Sequence, residues 1–162
     1  MHRIEKADRN ADSELSRISF AAKSHWKYPT EYMDIWKNEL TITKEYIDQH
    51  IVRCLSIDGK IVGFYSIVFL EKEMEFGKIK MERGFWLDHM FILPEYHKRG
   101  IGRLFFEDIN SIVVKLGIED QILAFVDPNA AGFYEKMGCE LVRISESSIP
   151  NRSIPVYKYR IG

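Results

Sequence analysis

The chain has 162 residues, 46% of them apolar and 29% charged, which is the make-up of a globular domain with its own core and excludes a disordered chain. Lysine and arginine number 23 against 24 aspartate and glutamate, so the net charge of -1 gives no general electrostatic reason to bind nucleic acid or an anionic membrane. Cys54 and Cys139 form no CxxC or Cys/His cluster, so neither a metal site nor a disulfide framework is expected, and both read as buried, reduced thiols. The longest apolar stretch, Ile61 to Leu70, is half the length that spans a bilayer, and the first ten residues carry no apolar signal core. A cytoplasmic, unprocessed chain without membrane contact is expected.

The N-terminal third reads as helical. Ser13 to Trp26 places Leu15, Ile18, Phe20 and Ala22 near helical spacing, and Tyr28-Pro29-Thr30 interrupts it. Thr30 is the expected N-cap of a second helix running to Leu40, with Glu31 in its first turn. Thr43 to Asp48 predicts a further short helix. The period then changes. Ile51 to Ile57 is apolar and β-branched, Asp58-Gly59 is a hairpin turn signal, and Lys60 to Leu70 is its partner strand. The polar residues 71 to 80 predict a loop or hairpin tip. Gly84 to Leu93 carries apolar residues on both faces, as a central strand does.

In the last third, Gly100 to Leu116 predicts an amphipathic helix that Gly117 ends. Gln121 to Val126 is a strand, Asn129 caps a short helix through Met137, and Gly138 stops it. Cys139 to Ser145 and Pro155 to Ile161 are two further strands. Hairpins surrounding one β-α-β crossover imply an α/β fold with a mixed sheet. No repeat, low-complexity tract or linker divides the chain, so a single domain over residues 1–162 is expected.

The most informative stretch is Leu93-Pro-Glu-Tyr-His-Lys-Arg-Gly-Ile-Gly-Arg103. A buried strand ends at Pro94, a short basic loop follows, and two glycines open a long helix. Unpaired N–H groups at a helix start point toward an incoming anion, and Gly100 and Gly102 let the main chain approach it. Lys98, Arg99 and Arg103 add positive charge. A plain strand-to-helix turn with solvated basic residues is the competing reading. A Rossmann fingerprint would need a glycine where Phe105 stands, and a Walker A loop would need Gly-Lys-Ser/Thr where Gly102 precedes Arg103-Leu104.

A second stretch, Asn129-Ala-Ala-Gly-Phe-Tyr-Glu-Lys-Met-Gly138, lies one strand further on. Together the two resemble the GNAT superfamily of acyl-CoA-dependent N-acetyltransferases. That family has a Gln/Arg-x-x-Gly-x-Gly/Ala signature opening a helix, and later an Asn…Phe-Tyr-Glu-Lys-x-Gly segment. Here the first reads His97-Lys-Arg-Gly-Ile-Gly102, and both come in the family's order and at its usual separation. The resemblance is strong over Phe85 to Leu141, and the segment from Ser24 to Ile47 is similar to a subset of bacterial members. His97 is the departure, since Gln or Arg is usual there. The fold implied is a GNAT-like mixed, twisted central sheet of about seven strands flanked by helices.

The resemblance implies roles. Amides of Lys98, Arg99, Gly100, Ile101, Gly102 and Arg103 would hold the coenzyme A pyrophosphate. The strand edge at Phe91, Ile92 and Leu93 would pair with the pantetheine arm as an added strand does. One of its N–H groups would polarise the thioester carbonyl, and such a donor can be worth ~3 kcal/mol. Asn129 would contact the pantetheine arm, with helix capping as its alternative role, and Phe133 would pack beside the cofactor or in the core. Tyr134 matches the family's tyrosine near the coenzyme sulfur, where a phenol of pKa ~10 can protonate the departing thiolate.

His89 is the candidate base. Side chains at 87, 89, 91 and 93 share one strand face, and an imidazole of pKa near ~6.5 suits proton acceptance through water at neutral pH. A hydrogen-bonded core histidine is its alternative, and Asp88 points to the opposite face unless a bulge shifts the phase. Trp26, Tyr28, Tyr32, Met33 and Trp36 could line an aromatic pocket for a cationic amine or form the core face of their helices.

The expected function is transfer of an acetyl group from acetyl-CoA to a primary amine by direct attack in a ternary complex. No cysteine lies between residues 85 and 138 to form an acyl-enzyme. The rival is a non-catalytic acyl-CoA-binding or sensor module of the same fold, and a nucleotide-binding α/β protein is a weaker third. The partners implied are acetyl-CoA and an amine acceptor, and a homodimer is common in the family.

Overall fold

The computed structural model describes residues 1–118 and 121–161, and it opens with a strand that the sequence does not reveal, β1 (His2–Lys6). Its side chains are exposed except for half-buried Ile4, so HRIEK shows no alternation to read. It is an edge strand, and charged side chains are how such edges are protected.

The chain divides into two compact units, one of Met1–Ile67 with His89–Gly102, the other of Val68–Asp88 with Arg103–Gly162. In the first, helix α1 (Asp12–Ser24) buries Leu15, Ile18, Ser19 and Ala22. Helix α2 (Thr30–Leu40) buries Trp36 and Leu40. Thr30 does not cap it, because Pro29 holds the N-cap position and its carbonyl accepts the Tyr32 N–H at 3.0 Å. Helix α3 (Lys44–Gln49) is capped by Thr43, which accepts from the Tyr46 N–H at 3.1 Å. Strands β2 (Ile51–Ile57) and β3 (Lys60–Leu70) pair antiparallel across Asp58-Gly59, whose φ values of 50° and 83° are those of a type I′ turn.

Residues 74–81 form a hairpin of their own, β4 (Met74–Phe76) and β5 (Ile79–Met81), turned at Gly77 with φ 62°. Strand β6 (Gly84–Ile92) follows. Helix α4 (Ile101–Lys115) leads to β7 (Gln121–Phe125), a short helix α5 (Ala131–Lys136), and strands β8 (Glu140–Glu146) and β9 (Ser153–Arg160). Asn129 does not cap α5. It lies inside a 3-10 turn, Pro128–Ala130, and it is the Asp127 carboxylate that accepts the Asn129 N–H at 2.9 Å.

Seven strands join in one mixed sheet in the order β1-β2-β3-β6-β7-β9-β8, so β6 is central. The β6–β7 pair is parallel, as a crossover through α4 requires, while β7–β9 and β8–β9 are antiparallel. In the second unit the core gathers Trp86, Phe105, Phe106, Ile109, Val126 and Val156, all nearly inaccessible. Each such side chain stabilises the fold by about 1.5–3 kcal/mol relative to exposure. Trp86 stacks on Phe125 at 5.0 Å and 22°, and its indole N–H donates to the Glu82 carbonyl at 2.9 Å.

Candidate active site

After β6, Pro94–Tyr96 make one 3-10 turn and His97 returns to extended backbone. Lys98 and Gly100 then both take positive φ, 61° and 78°, immediately before α4 begins at Ile101. Left-handed residues next to a helix start turn successive N–H groups toward one point, a backbone cradle for an anion. The first turn of α4 carries no acidic residue to oppose that use. Lys98, Arg99 and Arg103 are exposed. The Arg99 guanidinium lies 4.9 Å from the Tyr96 ring centroid, which restrains its direction. The His97 Nε2 is 3.0 Å from the Ile92 carbonyl, to which it donates, and its ring stands edge-on to His25 at 5.0 Å.

The Leu93 N–H donates to the Val62 carbonyl at 2.8 Å, so that amide is committed to β3. Because backbone groups alternate sides along a strand, the Ile92 amide points away from β3. Among the described residues the parallel ladder between β6 and β7 has two rungs, Phe85↔Ile122 and Trp86↔Leu123, although β7 continues to Phe125.

His89 is buried, and both ring nitrogens are engaged. Nε2 lies 2.8 Å from the Glu39 carbonyl, which can only accept, so Nε2 carries the proton and Nδ1 accepts in the neutral ring. Nδ1 lies 2.9 Å from Ser66 Oγ and 3.1 Å from the Tyr46 hydroxyl, and those two hydroxyls are 2.9 Å apart. Phe91 packs beside the ring at 5.8 Å, on the same strand face, while Asp88 is exposed. Glu39, Tyr46 and Ser66 escape a reading of the sequence. Ser66 alone left a trace, as a polar residue inside the apolar run of β3 whose side chain is fully buried.

In the second unit, Tyr134 lines a cavity with Leu87, Phe106, Ala124, Cys139 and Tyr157. Burial pushes its phenol well above the ordinary value, and the Cys139 and Asp127 groups add to the shift, so it keeps its proton at neutral pH. Phe133 packs at 5.9 Å against Phe106, and Asn129 is exposed. Burial pushes the Cys139 thiol up to about 12, and the Cys54 thiol likewise, so both stay protonated at neutral pH.

The N-terminal aromatics separate into two groups. Trp26 is 41% exposed and meets His25 at 5.1 Å, whereas Tyr28 and Tyr32 join Trp36. Among the described residues no three His, Cys, Asp or Glu side chains are grouped as a metal site needs, and no helix is long and apolar enough to cross a membrane.

A central strand thus runs into a basic glycine loop and a long helix, within a mixed sheet. Residues 48–140, more than half of the chain, match the acetyltransferase (GNAT) domain family, and the chain belongs to that family. It is similar in structure to the PaiA N-acetyltransferase of Thermoplasma acidophilum in complex with coenzyme A, at 18% identity, 99% coverage of each chain and TM-score 0.75. It is also similar to the ribosomal-protein-S18-alanine N-acetyltransferase of Escherichia coli (16%, 99% and 94% covered, 0.68). A third likeness is to an aminoglycoside 6'-N-acetyltransferase complexed with coenzyme A (17%, 98% and 96%, 0.66). At these identities the likeness is one of fold. No curated protein matches the chain.

Proposed function

We propose that residues 1–162 act as one acetyltransferase domain that moves an acetyl group from acetyl-CoA to a primary amine by direct attack in a ternary complex. The observation that carries this reading is the pair of left-handed residues, Lys98 and Gly100, opening α4 among basic side chains. It gains support from family membership and from the coenzyme A bound to two proteins of similar fold. Amides from Lys98 to Arg103 bind the pyrophosphate. The β6 edge at Phe91, Ile92 and Leu93 faces the pantetheine arm, and the Ile92 amide is its free donor in this reading, because the Leu93 amide serves Val62. Asn129 and Phe133 are further cofactor contacts in this reading.

The amine must lose a proton before its nitrogen attacks the thioester carbon. Nε2 of His89 serves Glu39, so the proton reaches Nδ1 through water and the Tyr46 hydroxyl, which passes on its own proton as it gains one. The C–N bond forms, an N–H group of β6 steadies the oxyanion, and the C–S bond breaks. Tyr134, protonated at neutral pH, gives its proton to the departing thiolate and is reprotonated, through solvent, by the second proton that the attacking nitrogen loses as the amide forms. Trp26, Tyr28 and Tyr32 border the acceptor. The buried, protonated thiols favour a reducing, cytoplasmic setting. The second reading, an acyl-CoA-binding module without catalysis, draws on the internal hydrogen bonds that occupy His89.

Thermal unfolding with acetyl-CoA tests the binding step, with ATP and NAD as controls. Ligand at ~100 times its dissociation constant adds ~2.7 kcal/mol, several degrees for a domain of this size. A shift with acetyl-CoA alone, followed by thiol release on adding a primary amine, is the expected result. A shift without thiol release for any amine supports the binding module. A shift with ATP or NAD and none with acetyl-CoA overturns both.

A further inference from the structure

The peptide unit that joins Ile92 to Leu93 is held at both ends. Its N–H, from Leu93, donates to the Val62 carbonyl on β3 at 2.8 Å. Its carbonyl, from Ile92, points the opposite way, as the two groups of a trans peptide must. Five residues further along the chain, Nε2 of His97 donates to that carbonyl at 3.0 Å. The bond closes a short loop. Within it the Tyr96 N–H donates to the Leu93 carbonyl at 2.9 Å and the His97 N–H to the Pro94 carbonyl at 3.1 Å. Of these three bonds only that of the His97 side chain reaches back into β6. The ring is also braced from outside the loop, because His25, in the C-cap position of α1, meets it edge-on at 5.0 Å. One residue later the backbone enters the cradle, where Lys98 and Gly100 take positive φ.

One side chain therefore ties the end of β6 to the start of the anion loop. A ligand that spans two parts of a site gains from both only when their spacing matches its own length, since the second contact is then made at high effective concentration. If the parts shift apart, that advantage is lost while each part alone binds as before. We propose that His97 is a positioning residue that sets the spacing between the β6 edge at Ile92 and the anion cradle of residues 98–102. The proposal rests on the reading of these two as parts of one coenzyme A site. Ile92 and His97 are both half-buried, so a carbonyl left without its donor can turn to water. A change in stability is thus a poor measure of this role, and ligand length is a good one.

The test is calorimetric titration of the wild type, His97→Ala, His97→Gln and His97→Asn with two ligands. One is coenzyme A. The other is 3'-phosphoadenosine 5'-diphosphate, which carries the pyrophosphate without the pantetheine arm. His97→Ala is expected to weaken coenzyme A by about tenfold, the scale of one lost hydrogen bond, and the shorter ligand by less than about twofold. A glutamine amide donates from about the same reach as Nε2, so His97→Gln is expected to return coenzyme A to within about threefold of the wild type. The asparagine amide falls a bond short, and His97→Asn should behave as His97→Ala. Equal affinity of wild type and His97→Ala for coenzyme A overturns the proposal. So does equal weakening of the two ligands, which would make the ring a brace of the loop alone, and so does a His97→Gln protein as weak as His97→Ala. Each of these outcomes leaves the acetyl-transfer reading standing. A wild type that binds neither ligand removes that reading and the positioning role with it. The expected pattern in a protein that releases no thiol with any amine supports the positioning role and removes catalysis.

Discussion

The imidazole of His89 donates its Nε2 proton to the backbone carbonyl of Glu39, 2.8 Å away and 50 residues earlier in the chain. Glu39 is the penultimate residue of α2, and its carbonyl is among the last four that no intrahelical N–H can reach. A side chain on the central strand therefore satisfies a carbonyl at the end of a helix of the N-terminal segment. The same bond leaves Nδ1 as the acceptor for Ser66 and Tyr46, so one contact sets both the position and the tautomer of the ring.

Replacement of His89 tests how much of this is structural. His89→Ala strips partners from the Glu39 carbonyl and from two hydroxyls, and a loss of about 2–3 kcal/mol in urea unfolding is expected. Tyr46→Phe keeps the packing and removes the proposed relay. It should lower turnover and reshape the pH–rate profile while leaving the Michaelis constant for acetyl-CoA unchanged. An unaltered rate and profile in Tyr46→Phe would reduce His89 to a brace.

Tyr134→Phe should reduce turnover by about 100-fold or more, the usual scale of a general acid, with coenzyme A affinity kept within about twofold. Steady-state kinetics beside calorimetric titration separate the two effects. An unchanged rate removes Tyr134 from the mechanism.

Gly100 sits at φ 78° with open space where a Cβ would point, so Gly100→Ala introduces backbone strain and no clash. A cost of about 1–2 kcal/mol is expected in thermal or urea unfolding, with weaker coenzyme A binding as the cradle relaxes. Gly132, helical and equally open but without positive φ, is the control. There alanine should be neutral or stabilising by up to about 1 kcal/mol. A Gly100→Ala protein that matches wild type in both measurements would mean that the left-handed turn does not shape the anion site.

The buried thiols give a pH dependence with a defined sign. Burial raises Cys54 from 9.0 to about 12, with the Glu5 carboxylate adding to it, so the folded state holds that proton where the unfolded chain has lost it. Its stabilisation is complete below pH 9 and is lost as the pH rises toward about 12, at about 1.4 kcal/mol per pH unit. Urea unfolding of Cys54→Ala across this range should show a shallower decline than the wild type. Parallel curves would mean that the thiol does not titrate differently in the two states.

The parts of the fold that could be read in advance are those whose cause is local. Asp58-Gly59 announces a tight turn wherever it stands, and the apolar strands on either side are the β2–β3 hairpin. The glycine loop is local too, since residues 97–102 carry their own turn geometry and charge. Helix starts were harder, because neighbouring side chains compete for the same N–H groups. At the α5 start Asp127 reaches the amide of Asn129, and Pro29 displaces Thr30 at the start of α2. The surroundings of His89 were beyond reach for another reason. Ser66, Tyr46 and Glu39 lie 23, 43 and 50 residues from it, and only the folded register brings them to one ring.

The two rims of the sheet differ in a way that bears on assembly. β1 at one rim exposes charged side chains along its length, while β8 at the other exposes Leu141, Val142 and Ile144. Charge on a rim repels a second strand, and apolar side chains invite one. Of the two rims, β8 is therefore the one less protected against a further strand.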